Sequence, residues 1–230
     1  MSLEEFSTRG FVILRSVIPS EWVSLALKIG NEIYPDHMAK FAQPKDFGST
    51  HHWKTMDMYS TQYLELFQMM TSDLMAGIVR EYLGPEAYLF NDQFVIKQPM
   101  EDYPFPWHFD NFYTSDPKGE FEGRYQAITT CWFLTPNNID CGGLRFLALD
   151  KTSKKDFEIK DPNIENTETI DAQPGDVGIW TGNTLHSSEG NGSDFQRSIW
   201  LQVYSSIPLG KGWRSGYYDK QFLRNGEIAL

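Results

Sequence analysis

A histidine and an aspartate lie two positions apart in the stretch "PFPWHFDNFY", which spans residues 104 to 113. In an extended segment, residues i and i+2 point to the same face, so His108 and Asp110 aim at one common point while Phe109 faces the other way. An imidazole and a carboxylate that converge in this way are two of the side chains that bind metal ions in proteins. The spacing predicts part of a metal site and requires a further ligand from elsewhere in the chain.

We predict His186 as that further ligand. It is one of five histidines, and it follows the strand-like run and Pro-Gly-Asp turn in "PGDVGIWTGNTLHSS". Two imidazoles and one carboxylate that leave coordination positions open are the ligand set of non-haem Fe(II) oxygenases. A structural zinc site would close with a fourth protein ligand, often Cys, and neither cysteine is near either histidine in the sequence. Taken alone, His-x-Asp also fits a histidine that is simply hydrogen-bonded within a core.

A basic residue at a set distance beyond the last histidine strengthens the prediction. Arg197 lies eleven residues after His186 and opens the run "RSIWLQVYSS". A guanidinium binds a carboxylate through a bidentate fork, and the hydroxyl of Ser188 would add a further hydrogen bond to a dicarboxylate. The alternative is an exposed arginine at the edge of a strand. The pattern favours a metal and an anionic cosubstrate in one site.

The elements that would position these residues change type along the chain. The N-terminal third is predicted to be helical, with a short strand at "FVILRSVI". In "PSEWVSLALKIGNEIY", Ser20 has the position of an N-cap, and apolar residues follow at helical spacing. The segment "STQYLELFQMMTSDLMAGIVREYLG" predicts one or two more helices that end at Gly84.

From residue 86 onward the sequence consists of short runs of aromatic and β-branched residues separated by turn residues, as in "PNNIDCGG", "AQPGD" and "EGNGSD". The runs are "AYLFNDQFVIKQ", "QAITTCWFLT", "GGLRFLALD", "DVGIWTG" and "RSIWLQVYSS". Many short strands joined by turns favour an antiparallel sandwich or barrel, mainly β, with the helices packed on one outer face. We expect a single domain over residues 1–230, with a mostly helical part at 1–85 and a β core at 86–206.

Charge and composition limit the partners. The net charge of −11 makes a nucleic-acid ligand unlikely because the phosphates would be repelled, although a small pocket can still be locally basic. No apolar run approaches the length that spans a membrane. Without a signal peptide at "MSLEEFSTRG", we expect a cytoplasmic protein in which Cys131 and Cys141 are reduced core residues. The oligomeric state is left open.

Taken together, the motifs resemble the phytanoyl-CoA dioxygenase family of Fe(II)- and 2-oxoglutarate-dependent oxygenases over nearly the whole chain. Individually the motifs are modest, but their order and spacing are fairly specific. They are "EEFSTRGFVILRSVIPSEWVSLALKIGNEI", "FVIKQP", "PWHFD", "CWFLTPNNIDCGGLRFL" and "GDVGIWTGNTLHSSEGNGSDFQRSIWLQVY". The resemblance implies a double-stranded β-helix core, also called a jelly-roll or cupin-like core.

The resemblance also implies roles for single residues. His108, Asp110 and His186 would bind Fe(II), while Arg197 would bind the distal carboxylate of 2-oxoglutarate with help from Ser188. O2 would then complete the reaction, which releases succinate and CO2 and oxidises a small-molecule substrate.

Three more residues are implied as contacts in the cosubstrate site. Lys97 and Gln93 share one face of their strand and would be further contacts to 2-oxoglutarate. Trp132 would line the site, the alternative being plain core packing.

The carboxylate of Asp110 indicates the reaction type, because relatives that halogenate have a small residue there. Hydroxylation or a related C–H oxidation is therefore expected. Two rival functions remain. A cupin-like metal-dependent isomerase, or a metal-binding sandwich without oxygen chemistry, would not need Arg197, and the intact set of three ligands argues against a non-catalytic binding domain with a degenerate site.

The substrate itself is not indicated by the sequence. The segment "FLALDKTSKKDFEIK" lacks the Gly-Ser-His element common in the family, and the chain is short for it. We expect the pocket walls to come from residues 43–60, residues 111–125 and the C-terminal "GWRSGYYDKQF". His51 and His52 are either substrate contacts or an ordinary solvated loop pair.

Overall fold

The structure, a computed structural model, describes residues 3–40, 55–57, 59–110, 127–151, 164–208 and 220–230. His51 and His52 lie outside these ranges, as do most of the residues that the sequence predicts as pocket walls. Everything below refers to the described residues.

All the α-helices of the described residues lie between residues 3 and 83, as the apolar spacing predicts. They are α1 (Leu3–Arg9), α2 (Ser20–Lys40), α3 (Leu64–Met70) and α4 (Asp73–Leu83). Ser20 is the first residue of α2 rather than its cap, and the Pro19 carbonyl accepts hydrogen bonds from the amides of Trp22 and Val23. The Ser72 hydroxyl caps α4 by accepting from the Met75 amide, and the helix ends before Gly84, whose φ of 108° favours glycine. None of the described helices combines the length and apolar composition needed to cross a membrane.

The strands form two antiparallel sheets. They are β1 (Phe11–Leu14), β2 (Thr55–Asp57), β3 (Ala87–Lys97), β4 (Phe105–His108), β5 (Ala127–Phe133), β6 (Leu144–Leu147), β7 (Glu168–Thr169), β8 (Val177–Thr181), β9 (Leu185–Ser188), β10 (Arg197–Ser205), β11 (Lys220–Arg224) and β12 (Glu227–Ile228). The large sheet has the order β1-β8-β5-β10-β3-β11-β12, with β2 also paired to β3, and the small sheet has the order β4-β9-β6-β7. Strands from both ends of the chain therefore join the sheet built by residues 86–206.

Alternate residues of the large sheet build two separate cores, because successive side chains point to opposite faces. On the outer face, Phe94, Trp132, Ile179 and Trp200 pack in one cluster with apolar residues of α2, α3 and α4. Trp132 lies between Trp22, with ring centroids 6.1 Å apart, and Trp200, at 4.9 Å. The helices thus cover the outer face, as expected.

The inner face of the large sheet packs against the small sheet. Its cluster includes Phe11, Val95, Phe133, Phe146 and Trp180, which come from both sheets. The result is a mainly β jelly-roll with flanking helices, which confirms the predicted fold class. The interior between the two sheets is where His108, Asp110 and His186 meet.

A buried carboxylate lies in the outer core. Asp92 is fully enclosed, and its two oxygens accept hydrogen bonds from the hydroxyl of Ser60 and from the indole nitrogen of Trp200, the latter at 3.1 Å. Burial raises the pKa of Asp92 to about 6, although both hydrogen bonds oppose the shift. The fold therefore favours the protonated form of this side chain more than the unfolded chain does.

We predict that Asp92→Asn stabilises the protein at alkaline pH. A carboxyl whose pKa is raised by folding stabilises most below its unfolded value of 3.8, and that contribution is lost as the pH rises through about 6. A shift of about two units corresponds to at most about 3 kcal/mol. Urea unfolding should show the variant more stable than the wild type at pH 8, by up to that amount, with the difference shrinking toward pH 4.

Asp176→Asn is the control, for which we expect the opposite change in stability at pH 8. Burial would raise the pKa of Asp176, but hydrogen bonds from the amides of Gln173 and Ser16 and from Arg15 lower it overall. Its stabilisation is present above the unfolded pKa and is lost as the pH falls, so this variant should be less stable than the wild type at pH 8. Equal effects of the two substitutions at pH 8 would contradict the role of burial at Asp92.

Candidate metal centre

The structure brings His108, Asp110 and His186 together in the interior between the sheets. His108 ends β4 and pairs directly with His186 in β9, while Asp110 follows two residues after β4. One ligand atom from each residue lies within 4.8 Å of the others. The Oδ1 atom of Asp110 is 3.6 Å from the Nε2 atom of His186 and 4.0 Å from that of His108. Two ligands about 2.1 Å from one ion can be at most about 4.2 Å apart, and both distances from Asp110 to the histidines meet this limit.

Hydrogen bonds orient both imidazoles for this task. The Nδ1 atom of His108 is 2.8 Å from the carbonyl oxygen of Pro106, and that of His186 is 3.0 Å from the carbonyl oxygen of Thr184. A carbonyl oxygen only accepts, so Nδ1 carries the proton in each ring. In the neutral ring with the proton on Nδ1, the lone pair is on Nε2, and this is the form that binds a metal.

The carboxylate of Asp110 is held through its other oxygen. Oδ2 accepts hydrogen bonds of 2.6 Å from the hydroxyl of Thr129 and 2.6 Å from the indole nitrogen of Trp180. Both donors lie on the inner face of the large sheet, on the neighbouring strands β5 and β8, where they are a register pair. Oδ2 is thereby occupied, and Oδ1 is the oxygen turned toward the histidines.

Aromatic rings enclose one side of the cluster. Phe146, which pairs with His186 across β6 and β9, stacks on its imidazole with centroids 5.7 Å apart. The Trp180 ring is 5.2 Å from the same imidazole. His186 is buried, whereas His108 keeps about a third of its side chain exposed. The centre is dry on the His186 side and accessible on the His108 side.

Arg197 is a buried cation whose two terminal nitrogens lack a partner among the described residues. Its side chain is 1% exposed and its Nε atom donates to the Oδ1 atom of Asn137 at 3.2 Å. Its two terminal nitrogens make no hydrogen bond within the structure described. Burial lowers the pKa of Arg197. Leaving charge-bearing donors without acceptors is costly, and a bound carboxylate would satisfy both at once.

Lys97 lies directly opposite Arg197 in the pairing of β3 with β10, and like charges in that position repel each other. Its ammonium donates to the hydroxyl of Ser188 at 2.8 Å and to the carbonyl oxygen of Glu189. Burial, and then the charge of Arg197, lower the pKa of Lys97 to about 6. Ser188 lies two residues beyond His186 on β9, which puts this basic pair next to the metal ligands. The site has the electrostatics of an anion pocket.

The structure separates the remaining two predicted contacts. Gln93 is buried on the same face of β3 as Lys97, four residues away, which is about 13 Å along a strand. Trp132 does not reach the site, because its indole faces the helices on the opposite side of the large sheet.

Thr129, Trp180 and Asn137 are site residues that the sequence did not indicate. Each acts through another side chain, Thr129 and Trp180 through Asp110 and Asn137 through Arg197. Asn137 is fixed in turn by a hydrogen bond of 2.7 Å from its Nδ2 atom to the carbonyl oxygen of Ile170. Strand alternation alone places Trp180 on one face or the other, and only the register of β5 with β8 shows which.

Two histidines and one carboxylate, held in the interior of a jelly-roll, are the ligand set typical of non-haem Fe(II) oxygenases. The sequence matches the model of the phytanoyl-CoA dioxygenase family over residues 6–199, and the chain belongs to this family. The cofactors of the family, Fe(II) with 2-oxoglutarate and O2, are those that the metal cluster and the adjoining anion pocket fit. No curated protein was found that matches the sequence.

Solved structures share the fold at low identity. The non-haem, α-ketoglutarate-dependent epimerase SnoN from nogalamycin biosynthesis superposes with a TM-score of 0.71 at 15% identity, over 99% of this chain and 91% of that one. EctD from S. alaskensis, crystallised with 2-oxoglutarate and 5-hydroxyectoine, has a TM-score of 0.67 at 17% identity, over 89% and 75%. EvdO2 from Micromonospora carbonacea var. aurantiaca has a TM-score of 0.65 at 20% identity, over 89% of both chains.

We predict that Thr129→Val and Trp180→Phe each weaken Fe(II) binding by roughly 10- to 100-fold, the usual effect of removing a hydrogen bond to a metal ligand. Each change frees the Oδ2 atom of Asp110 and lets the carboxylate rotate. The affinity for Fe(II) is measured by isothermal titration calorimetry, in which Fe(II) is added to the metal-free protein under anaerobic conditions. Thr129→Ser should restore it, because the hydroxyl returns.

The chain offers matched controls on the other face of the same sheet. Thr130 donates to Gln202 and Trp200 donates to Asp92, so neither contacts a metal ligand. Thr130→Val and Trp200→Phe should keep Fe(II) affinity within about twofold of the wild type. Equal losses in the two pairs would mean that the substitutions act through general destabilisation and not through Asp110.

Proposed function

We propose that this protein is a single-domain Fe(II)- and 2-oxoglutarate-dependent dioxygenase that hydroxylates, or otherwise oxidises a C–H bond of, a small-molecule substrate. The observation that carries the proposal is the buried guanidinium of Arg197, which lies opposite Lys97 and beside the metal cluster and whose two terminal nitrogens have no hydrogen-bond partner among the described residues. Two free, buried cysteines support a location in the reducing cytoplasm.

The rival functions do not account for this pocket. A metal-dependent isomerase or a non-catalytic metal-binding domain of the same fold needs the histidines and Asp110 but no anion. Burying the Arg197 guanidinium opposite Lys97 costs stability in such a protein even though the charges of Glu189 and Glu101 act on Lys97, and selection would be expected to replace the two by apolar residues. An oxygenase that must bind a dicarboxylate has a use for both.

Each residue of the site has a defined task in the reaction. The Nε2 atoms of His108 and His186 and the Oδ1 atom of Asp110 would hold the iron, while Arg197, Ser188 and Lys97 would hold the distal carboxylate of 2-oxoglutarate. When bound, iron, 2-oxoglutarate and O2 supply the oxidising chemistry, with release of succinate and CO2. Phe146 and Trp180 exclude water from the His186 side.

The retained carboxylate supports hydroxylation rather than halogenation. Asp110 occupies one coordination position and is fixed there by two hydrogen bonds to Oδ2, so no position is opened for a halide. A small-molecule substrate is supported by two solved structures of the same fold, since EctD was crystallised with 5-hydroxyectoine and SnoN with nogalamycin RO.

Arg197→Ala should keep Fe(II) binding while its affinity for 2-oxoglutarate collapses. Removing one partner of a buried charge pair costs about 2–5 kcal/mol, or roughly 30-fold to several-thousand-fold in affinity. Arg197→Lys should recover only part, because an ammonium lacks the bidentate fork. Calorimetric titration of the Mn(II)-loaded protein with 2-oxoglutarate measures the affinity, and oxygen uptake with succinate formation measures turnover.

The exposed Arg80 on α4 provides the matched control, and Arg80→Ala should leave 2-oxoglutarate affinity unchanged. If Arg197→Ala also left it unchanged, the cosubstrate site would be misplaced. The metal isomerase would then become the better account of the cluster.

Binding of 2-oxoglutarate should take up protons at pH 7.5. With a pKa of about 6, Lys97 is mostly neutral at that pH in the ligand-free protein. A carboxylate bound beside it favours the charged form and raises the pKa, so up to about one proton enters per ligand. Titrations in two buffers of different ionisation enthalpy measure the number directly.

Two controls bracket this prediction. Lys97→Met removes the titrating group, and at pH 5 the wild-type lysine is already charged. Both should show no proton uptake. Identical binding enthalpies in the two buffers for the wild type at pH 7.5 would contradict an anion site at Lys97.

A further inference from the structure

Two buried amides on β3 have side-chain atoms without a hydrogen-bond partner within the described structure. Asn91 is 0% exposed, and both its Nδ2 and its Oδ1 atoms are unpartnered. Gln93 is 3% exposed, and its Nε2 atom is unpartnered. Buried amide groups are nearly always paired, so two neighbouring exceptions on one strand call for an explanation.

Both amides point into the interior that holds the metal cluster. Asn91 pairs with Val203 on β10, and Val203 pairs with Thr129 on β5, the residue that donates to Asp110. Directly paired residues share a face, so these three side chains form one row across the inner face. At about 4.8 Å between strands, Asn91 lies about 10 Å from Thr129. Gln93 lies in the next inward-facing row, which passes through Leu201 and Cys131.

The small sheet leaves space over these rows. Leu201 lies on β10, the strand between β5 and β3, yet its side chain remains partly exposed on the inner face. A residue flanked by strands on both sides can reach solvent only if the opposite sheet does not cover it. A β-bulge, where Phe90 is the extra residue between the pairs Tyr204–Leu89 and Val203–Asn91, lies next to Asn91. Bulges re-aim side chains and are common beside active sites.

The residues paired with these amides include no cation. On the β10 side Asn91 pairs with Val203 and Gln93 with Leu201, and on the β2 side Gln93 pairs with Asp57. The unpartnered atoms comprise two amide NH2 groups, which donate, and one carbonyl, which accepts. A carboxylate would therefore find amide donors here but no cation, in contrast to Arg197 and Lys97 at the other end of β10 and β3.

We propose that Asn91 and Gln93 form the substrate-recognition site and bind a group that both donates and accepts hydrogen bonds, namely an amide or a hydroxyl. The proposal rests on the function given above, because it places the recognition site on the inner face that carries Thr129, the residue that donates to Asp110, with Asn91 about 10 Å from Thr129. It moves Gln93 from cosubstrate binding to substrate binding. The inner face then has a cationic end for 2-oxoglutarate and an amide-lined end for the substrate.

A first experiment asks whether the two amides are held for a ligand. Asn91→Leu and Gln93→Met keep size and remove the polar atoms, so their melting temperatures should equal or exceed that of the wild type.

Asn191 and Gln202 are matched controls. Asn191 donates to three carbonyls, and Gln202 accepts from Thr130 and donates to the Trp200 carbonyl. Asn191→Leu and Gln202→Met should each lower the melting temperature, by about 2–4 °C per kcal/mol lost. A comparable drop in Asn91→Leu and Gln93→Met would overturn the proposal.

A second experiment tests the chemical class with probes of one size. The sample is the protein loaded with Zn(II) and 2-oxoglutarate, without Mn(II), and the method is ligand-observed NMR. Three probes are compared: 2-pyrrolidone donates and accepts hydrogen bonds, cyclopentanone only accepts them, and cyclopentanecarboxylate is anionic. We expect 2-pyrrolidone to give the strongest saturation transfer and to lose it in the Asn91→Leu/Gln93→Met double variant. Preference for the anion, or an unchanged 2-pyrrolidone signal in the double variant, would overturn the proposal.

The 2-oxoglutarate affinity of the double variant separates this proposal from the proposed function. We expect it to stay within about twofold of the wild type. A large loss would return Gln93 to the cosubstrate site and overturn the assignment made here, while the oxygenase function would stand. If the wild type bound no 2-oxoglutarate at all, the proposed function would fail, and the probe experiment on the Zn(II) protein would still decide the role of the two amides.

Discussion

The carboxylate of Asp110 is the interaction on which the site depends, because it is bonded to both layers of the sandwich. Its backbone follows β4 in the small sheet, while Thr129 and Trp180 on the large sheet hold its Oδ2 atom. The Oδ1 atom is left for the histidines of β4 and β9. A shift of one sheet relative to the other would break these bonds and misplace the ligand. The packing of Phe146 against Trp180, with centroids 5.3 Å apart, fixes that relation from the apolar side.

Buried polar groups differ in hydrogen bonding between the two faces of the large sheet. On the outer face, Asp92, Gln202 and Tyr204 all have hydrogen-bond partners among neighbouring side chains or carbonyls, and Trp132 is the exception in leaving its indole nitrogen unpartnered. On the inner face of the same strands, Asn91, Gln93 and Arg197 keep unpartnered atoms. Strand alternation thus separates groups that stabilise the fold from groups that are available to ligands.

Much of this organisation could be predicted from the sequence, for identifiable reasons. His-x-Asp on a strand shows through two-residue periodicity, and the basic residue eleven positions after His186 follows from strand and turn lengths along one stretch of chain. The helices show through apolar spacing. Thr129, Trp180, Asn137 and Asn91 could not be found, since their roles depend on which strands are neighbours and in what register. Trp132 illustrates the same limit, because its position next to Cys131 on β5 turns it to the helix side.

The unpartnered groups make the ligand-free protein less stable than it would be if the same groups were hydrogen-bonded. Burial and the charge of Arg197 directly across β10 and β3 lower the pKa of Lys97, against the opposing charges of Glu189 and Glu101. The unpartnered amide atoms of Gln93 and Asn91, two and three inward-facing rows away, add a smaller cost of the same kind. A ligand that satisfies these groups gains free energy that the empty fold has lost, because the groups are already fixed on strands of the central sheet. Cosubstrate and substrate would then each stabilise a different end of the same inner face, and the metal ligands lie where the two ends meet.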